Sequence, residues 1–80
     1  MKILLVEDDS DDADFLRLSL SQKNGEAHVT RVAQLADAVN ALDNDKFDVV
    51  LLDLNLPDGR GADCVSKIQE ANSLVPIVVL

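Results

Sequence analysis

The sequence holds a single cysteine, Cys64, and a single histidine, His28. It can therefore close no internal disulfide and build no cysteine- or histidine-rich zinc site. A reducing cytoplasm is the expected setting. Long apolar runs are also missing: stretches such as Ile3 to Val6 fall far short of the ~20 residues a membrane-spanning helix needs. The N-terminus enters Lys2-Ile3-Leu4-Leu5-Val6 without a signal-peptide pattern, so neither export nor embedding is expected. Basic residues are scarce, 7 against 15 acidic, for a formal net charge of −8. That balance opposes phosphate backbones and anionic lipid, which excludes nucleic acid and membranes as direct partners. None of the three glycines follows the first apolar run, where Glu7-Asp8-Asp9 stand instead. A glycine-rich phosphate cradle, and with it a dinucleotide or flavin site, is thereby disfavoured. With no internal repeat and no linker rich in Gly, Ser or Pro, residues 1–80 read as one piece.

What the 80 residues do have is 48% apolar and 28% charged content, enough for one packed core near the lower size limit of an autonomous domain. Ile3 to Val6, Val49 to Leu52 and Ile77 to Leu80 are apolar at every position, as strands covered on both faces of a parallel sheet require. Between them lie stripes of helical period: Ala13, Leu16 and Leu20; Leu35, Ala38, Val39 and Leu42; Cys64, Val65 and Ile68. Asp9 or Ser10 can cap the first helix, Asn24-Gly25 can end it, and Pro57-Asp58-Gly59 supplies a turn before the third. The second helix shows no strong cap of its own. His28 to Val32 mixes apolar and polar residues and reads as a strand at a solvated edge. The alternation predicts an open, doubly wound α/β sheet of order 2-1-3-4 with helices on both faces. The apolar run Val75 to Leu80 then stands at the end of the chain with nothing after it.

Open α/β sheets bind ligands beyond the carboxyl ends of their strands. Those positions here are Glu7, Asp8 and Asp9 after the first run, and Asp53 with Asn55 after the third. If the first and third strands are neighbours, Glu7, Asp8 and Asp53 share one rim, and such carboxylates repel unless protons or a cation intervene. A hard divalent ion is the natural partner. Magnesium fits, with two carboxylates, a carbonyl and waters completing its shell. Taken singly, Glu7 to Asp9 would do no more than start a helix whose dipole favours acid. Asp53 is harder to explain that way, because it interrupts an apolar strand at the functional edge. Asp11, Asp12 and Asp14 read as a solvated first turn, Cys64 as a buried apolar residue, and His28 as a surface residue.

The stretch Lys2-Ile-Leu-Leu-Val-Glu-Asp-Asp9, followed by Val50-Leu-Leu-Asp-Leu-Asn-Leu-Pro-Asp-Gly59 and by Pro76-Ile-Val-Val-Leu80, resembles the receiver domain of two-component response regulators. The likeness runs over the whole chain. It implies a flavodoxin-like fold in which Asp53 is the phosphoacceptor, taking a phosphoryl group from a histidine kinase or histidine phosphotransfer protein. It further implies that Asp8 and Asp53 ligate Mg²⁺, or Mn²⁺ in its place, that Asn55 adds its backbone carbonyl, and that Glu7 acts mainly through a metal-bound water. Phosphorylation would switch a surface for an output partner, in a signalling module that is not itself an enzyme. Receiver domains resembling this one continue with a hydroxyl residue after the fourth strand and a Lys after a fifth. The expectation is accordingly a receiver truncated after its fourth strand, lacking those groups and self-associating through Val75 to Leu80. None of Lys2, Lys23, Lys46 and Lys67 follows a core strand run, so none takes the missing role. Two other functions compete with phosphoacceptance: a receiver-like scaffold without phosphotransfer, and a Mg²⁺-dependent phosphohydrolase with an Asp nucleophile. The second resembles an Asp-x-Asp class, and Asp53-Leu54-Asn55 lacks its second carboxylate.

Overall fold

The computed structural model describes residues 1–23 and 25–80. In chain order the elements are β1 (Lys2–Val6), α1 (Ser10–Lys23), β2 (His28–Val32), α2 (Leu35–Asn44), β3 (Val49–Leu52), β4 (Asn55–Leu56), β5 (Gly59–Arg60), α3 (Ala62–Ala71) and β6 (Ile77–Val79). Four of the strands form a parallel sheet in the order β2-β1-β3-β6. This is the expected 2-1-3-4 arrangement, with β6 as the fourth strand of the sheet. The central position of β1 follows from its sequence, since Ile3 to Val6 are apolar throughout and all four are buried. Polar β2 lies at an edge, where its residues are half-buried or exposed.

Side-chain alternation divides the core between the two faces. Leu4, Val6, Val50 and Leu52 face α2 and α3, meeting Leu35, Ala38, Leu42, Cys64 and Ile68 in one buried cluster. Each fully buried Leu or Ile there contributes about 1.5–3 kcal/mol. The opposite face carries Ile3 and Leu5, covered by α1 with Ala13 buried against the sheet and Leu16 and Leu20 half-buried. The run Val49 to Leu52 predicts burial on both faces of β3, and here the structure differs. Val50 and Leu52 are buried, whereas Val49 and Leu51 are only half-buried, because α1 is the single helix on their face among the described residues. At the β6 edge Val78, Val79 and Leu80 are exposed, Val78 at 50%.

Asp9, one of the two candidate caps, caps α1: its Oδ1 accepts the amides of Asp11 at 2.9 Å and Asp12 at 3.1 Å. The end of α1 read at Asn24-Gly25 falls, at Asn24, outside the described residues. Gln34 precedes α2 and makes no side-chain cap bond, in keeping with the absence of a local cap signal. The helix is nevertheless capped from a distance, since the Asp58 carboxylate accepts the Leu35 amide at 2.7 Å and the Ala36 amide at 2.9 Å. The turn at Pro57-Asp58-Gly59 joins a short antiparallel pair, Asn55 opposite Arg60 and Leu56 opposite Gly59, which the sequence pattern did not signal. Gly59 lies flush against α2: a Cβ at this position would stand 2.7 Å from Leu35 Cδ2.

Candidate functional site

Backbone pairing in the sheet continues one residue past each strand. The Glu7 amide donates to the Val32 carbonyl at 3.1 Å, and the Asp53 amide donates to the Val6 carbonyl at 3.0 Å. These two bonds fix where the first polar residue after β1 and after β3 must stand, at the same carboxyl rim of adjacent strands. One carboxylate oxygen from each of Glu7, Asp8 and Asp53 lies within 4.8 Å of the others. Glu7 is buried at 7% exposure, Asp53 is half-buried and Asp8 is exposed. The cluster thus runs from the core out to solvent.

Two short-range bonds hold these carboxylates in place. Glu7 Oε1 accepts the Asp9 amide at 3.2 Å, and Asp53 Oδ1 accepts the Asn55 amide at 3.0 Å. Asn55 therefore touches Asp53 through its backbone, with its side chain exposed. Burial pushes the Glu7 carboxyl above the usual range, and the charges of Asp53 and then Asp12 push it the same way, against the Asp9 amide. Asp12 is exposed in the first turn of α1, yet its charge still reaches Glu7. Among the described residues no Lys or Arg forms an ion pair with the cluster; the single ion pair joins Lys2 to Asp45. An all-oxygen donor set with unbalanced negative charge is what a hard divalent cation requires. Glu7, Asp8 and Asp53 fit such an ion.

Two further residues hold the rim, and sequence reasoning passed over both. Arg31, near the end of β2, donates from Nε to the Glu7 carbonyl at 2.9 Å and from Nη2 to the Asp8 carbonyl at 3.1 Å. The usable signal was a cation paired opposite Leu5, two residues before the acidic loop. Asp58 ties the segment after Asp53 to α2. Cys64 is buried and its Sγ lies 3.9 Å from the Leu54 carbonyl. Burial pushes its thiol up, aided by the charges of Asp63, Asp53 and Asp58, the reverse of what a reactive thiol needs.

The profile of the response regulator receiver domain matches residues 3–80. The chain belongs to this family. Receivers are signalling modules of two-component systems, and this one is 34% identical over all its 80 residues to the cell cycle transcriptional regulator CtrA of Caulobacter vibrioides, covering 34% of that protein. The receiver spans about a third of the length of the curated relatives it matches. Among solved structures it is similar to the MaeR response regulator bound to beryllium trifluoride, with a TM-score of 0.88 and 27% identity over 100% of this chain and 66% of that one. It is likewise similar to the receiver domain of the sensor histidine kinase PA1611 from Pseudomonas aeruginosa, which has a magnesium ion coordinated in its active site cleft. That match has a TM-score of 0.86 and 30% identity, over 98% of this chain and 64% of that one. The flavodoxin-like expectation for the fold of this receiver is met. No helix among its described residues is long and apolar enough to cross a membrane.

Proposed function

We propose that this receiver, residues 1–80 as one unit, accepts a phosphoryl group on Asp53 from a phosphohistidine of a histidine kinase or histidine phosphotransfer protein. The observation that carries the reading is the convergence of Glu7, Asp8 and Asp53, with one oxygen of each inside 4.8 Å. Asp8 and Asp53 would hold Mg²⁺ directly, with Mn²⁺ as a substitute, Asn55 would add its backbone carbonyl, and Glu7 would act through a bound water. When bound, the ion neutralises charge on the phosphoryl oxygens, the main requirement of a loose phosphoryl-transfer transition state. The PA1611 receiver, with magnesium in its cleft, supports this assignment.

The chain's own groups do the rest. The Asn55 amide on Oδ1 orients the Asp53 carboxylate. A bond forms between an Asp53 oxygen and phosphorus as the bond from phosphorus to the histidine nitrogen breaks, and the imidazole leaves with its electron pair. Each chain takes one group and is changed by it, so the role is that of a signalling acceptor in the cytoplasm and not of a turnover enzyme. The modified surface would then be read by an output domain or protein.

The test uses acetyl phosphate with Mg²⁺ on the full chain, followed by intact-mass measurement. One added phosphoryl group is expected, lost in Asp53→Asn and on chelation. Phosphate located on Ser66 or Ser73 instead would overturn the assignment.

A further inference from the structure

Arg31 is the one basic side chain that hydrogen-bonds the acidic loop among the described residues, and it does so without touching a carboxylate. Its fork closes on two consecutive backbone carbonyls, those of Glu7 and Asp8, while both side chains stay in the oxygen cluster with Asp53. The guanidinium starts from β2, whose register is fixed by pairing with β1 from Lys2 opposite His28 through Val6 opposite Val32. The loop is thus pinned from outside by a neighbouring strand, in addition to its own Glu7 to Asp9 bond.

We infer that Arg31 is a positioning residue that sets the Glu7-Asp8 backbone for cation binding. The inference rests on the Mg²⁺ site proposed above. Two opposed effects are available to an arginine at this place. As a charge, Arg31 competes with a divalent cation for the same negative field, so its removal would tighten Mg²⁺ binding. As a planar fork, it holds two carbonyls at once and keeps the ligands assembled, so its removal would loosen binding. The geometry favours the second effect, because both donors are spent on backbone atoms that a lysine ammonium could not bridge with the same fixed spacing.

The sign of the change in Mg²⁺ affinity decides between them. Calorimetric titration of the full chain with Mg²⁺ alone is compared for the unsubstituted protein, Arg31→Gln, Arg31→Lys and Lys46→Gln, with circular dichroism as the check on folding. Both Arg31 variants are expected to bind on the order of tenfold more weakly, with Lys failing to rescue, while Lys46→Gln, which removes the same charge elsewhere, binds as before. Equal or tighter binding by Arg31→Gln, or full rescue by Lys, overturns the positioning role. Absence of Mg²⁺ binding by the unsubstituted protein would overturn the metal assignment, and the positioning role would fall with it. Should Arg31→Gln fail to fold, hydrogen exchange at Arg31 Nε in the unsubstituted protein gives the answer: slower exchange with Mg²⁺ supports the role, and unchanged exchange refutes it.

Discussion

Glu7 is the residue at which core and site compete. Its carboxyl is raised in the fold by burial and by Asp53, whereas in the unfolded chain it titrates near about 4.3. Between those two values the native state holds the proton more tightly, so stability falls as pH rises through the folded value. Glu7→Gln removes that loss. In chelator, urea unfolding of Glu7→Gln is expected to show higher stability at pH 7 than the parent and a flatter profile as pH rises through the carboxylate range. Titrated with Mg²⁺, the same variant should bind on the order of tenfold more weakly. A variant less stable than the parent in chelator at pH 7 would contradict this account. Asp53 was legible in the sequence because a carboxylate that ends an apolar strand has few structural uses. Arg31 and Asp58 were not, because the target of a side chain reaching across 22 residues or more is decided by the tertiary fold.

Among the elements, α2 depends most on a distant partner. Its first two amides are satisfied by Asp58, whose carboxyl those bonds hold below the ordinary aspartate range. A depressed folded value means the contribution is complete above about 4 and is lost as pH falls through the folded value. Asp58→Asn should therefore lower the thermal midpoint at neutral pH and lose less than the parent on acidification. A parallel acid limb in both proteins would refute the cap. Within α3, Ile68 is fully buried against the sheet, so Ile68→Ala should cost about 2–5 kcal/mol in denaturant unfolding, and a cost under about 1 kcal/mol would place it outside the core. The helices were readable from a repeated apolar period, three strands of the sheet from unbroken apolar runs, and β2 from its mix of apolar and polar residues. The β4 and β5 pair spans two residues a strand, too few to show a period, and the uneven burial of β3 depends on which helices its faces meet.

On the scale of the whole molecule, 15 acidic against 7 basic side chains make the fold responsive to cations. A ligand bound by the native state alone, at about 100 times its Kd, adds ~2.7 kcal/mol. Thermal unfolding in Mg²⁺ should show that gain, and Asp8→Asn should lose it. The sheet's connectivity bears on the timing of this gain. β1 pairs in parallel with β3, and the Lys2 amide meets the Asp48 carboxylate across 46 positions of chain. Closing so long a loop is slow, and until it closes Glu7 and Asp8 have no Asp53 beside them. An ion that needs all three arrives after the rate-limiting step, so Mg²⁺ should slow unfolding in stopped-flow measurements and leave refolding unchanged. A refolding arm accelerated by Mg²⁺ would mean that the two strands meet before the barrier. During synthesis the same connectivity keeps the carboxylate cluster from forming until β3 has emerged, so a nascent chain with β1, α1 and β2 already folded has no three-carboxylate site to load.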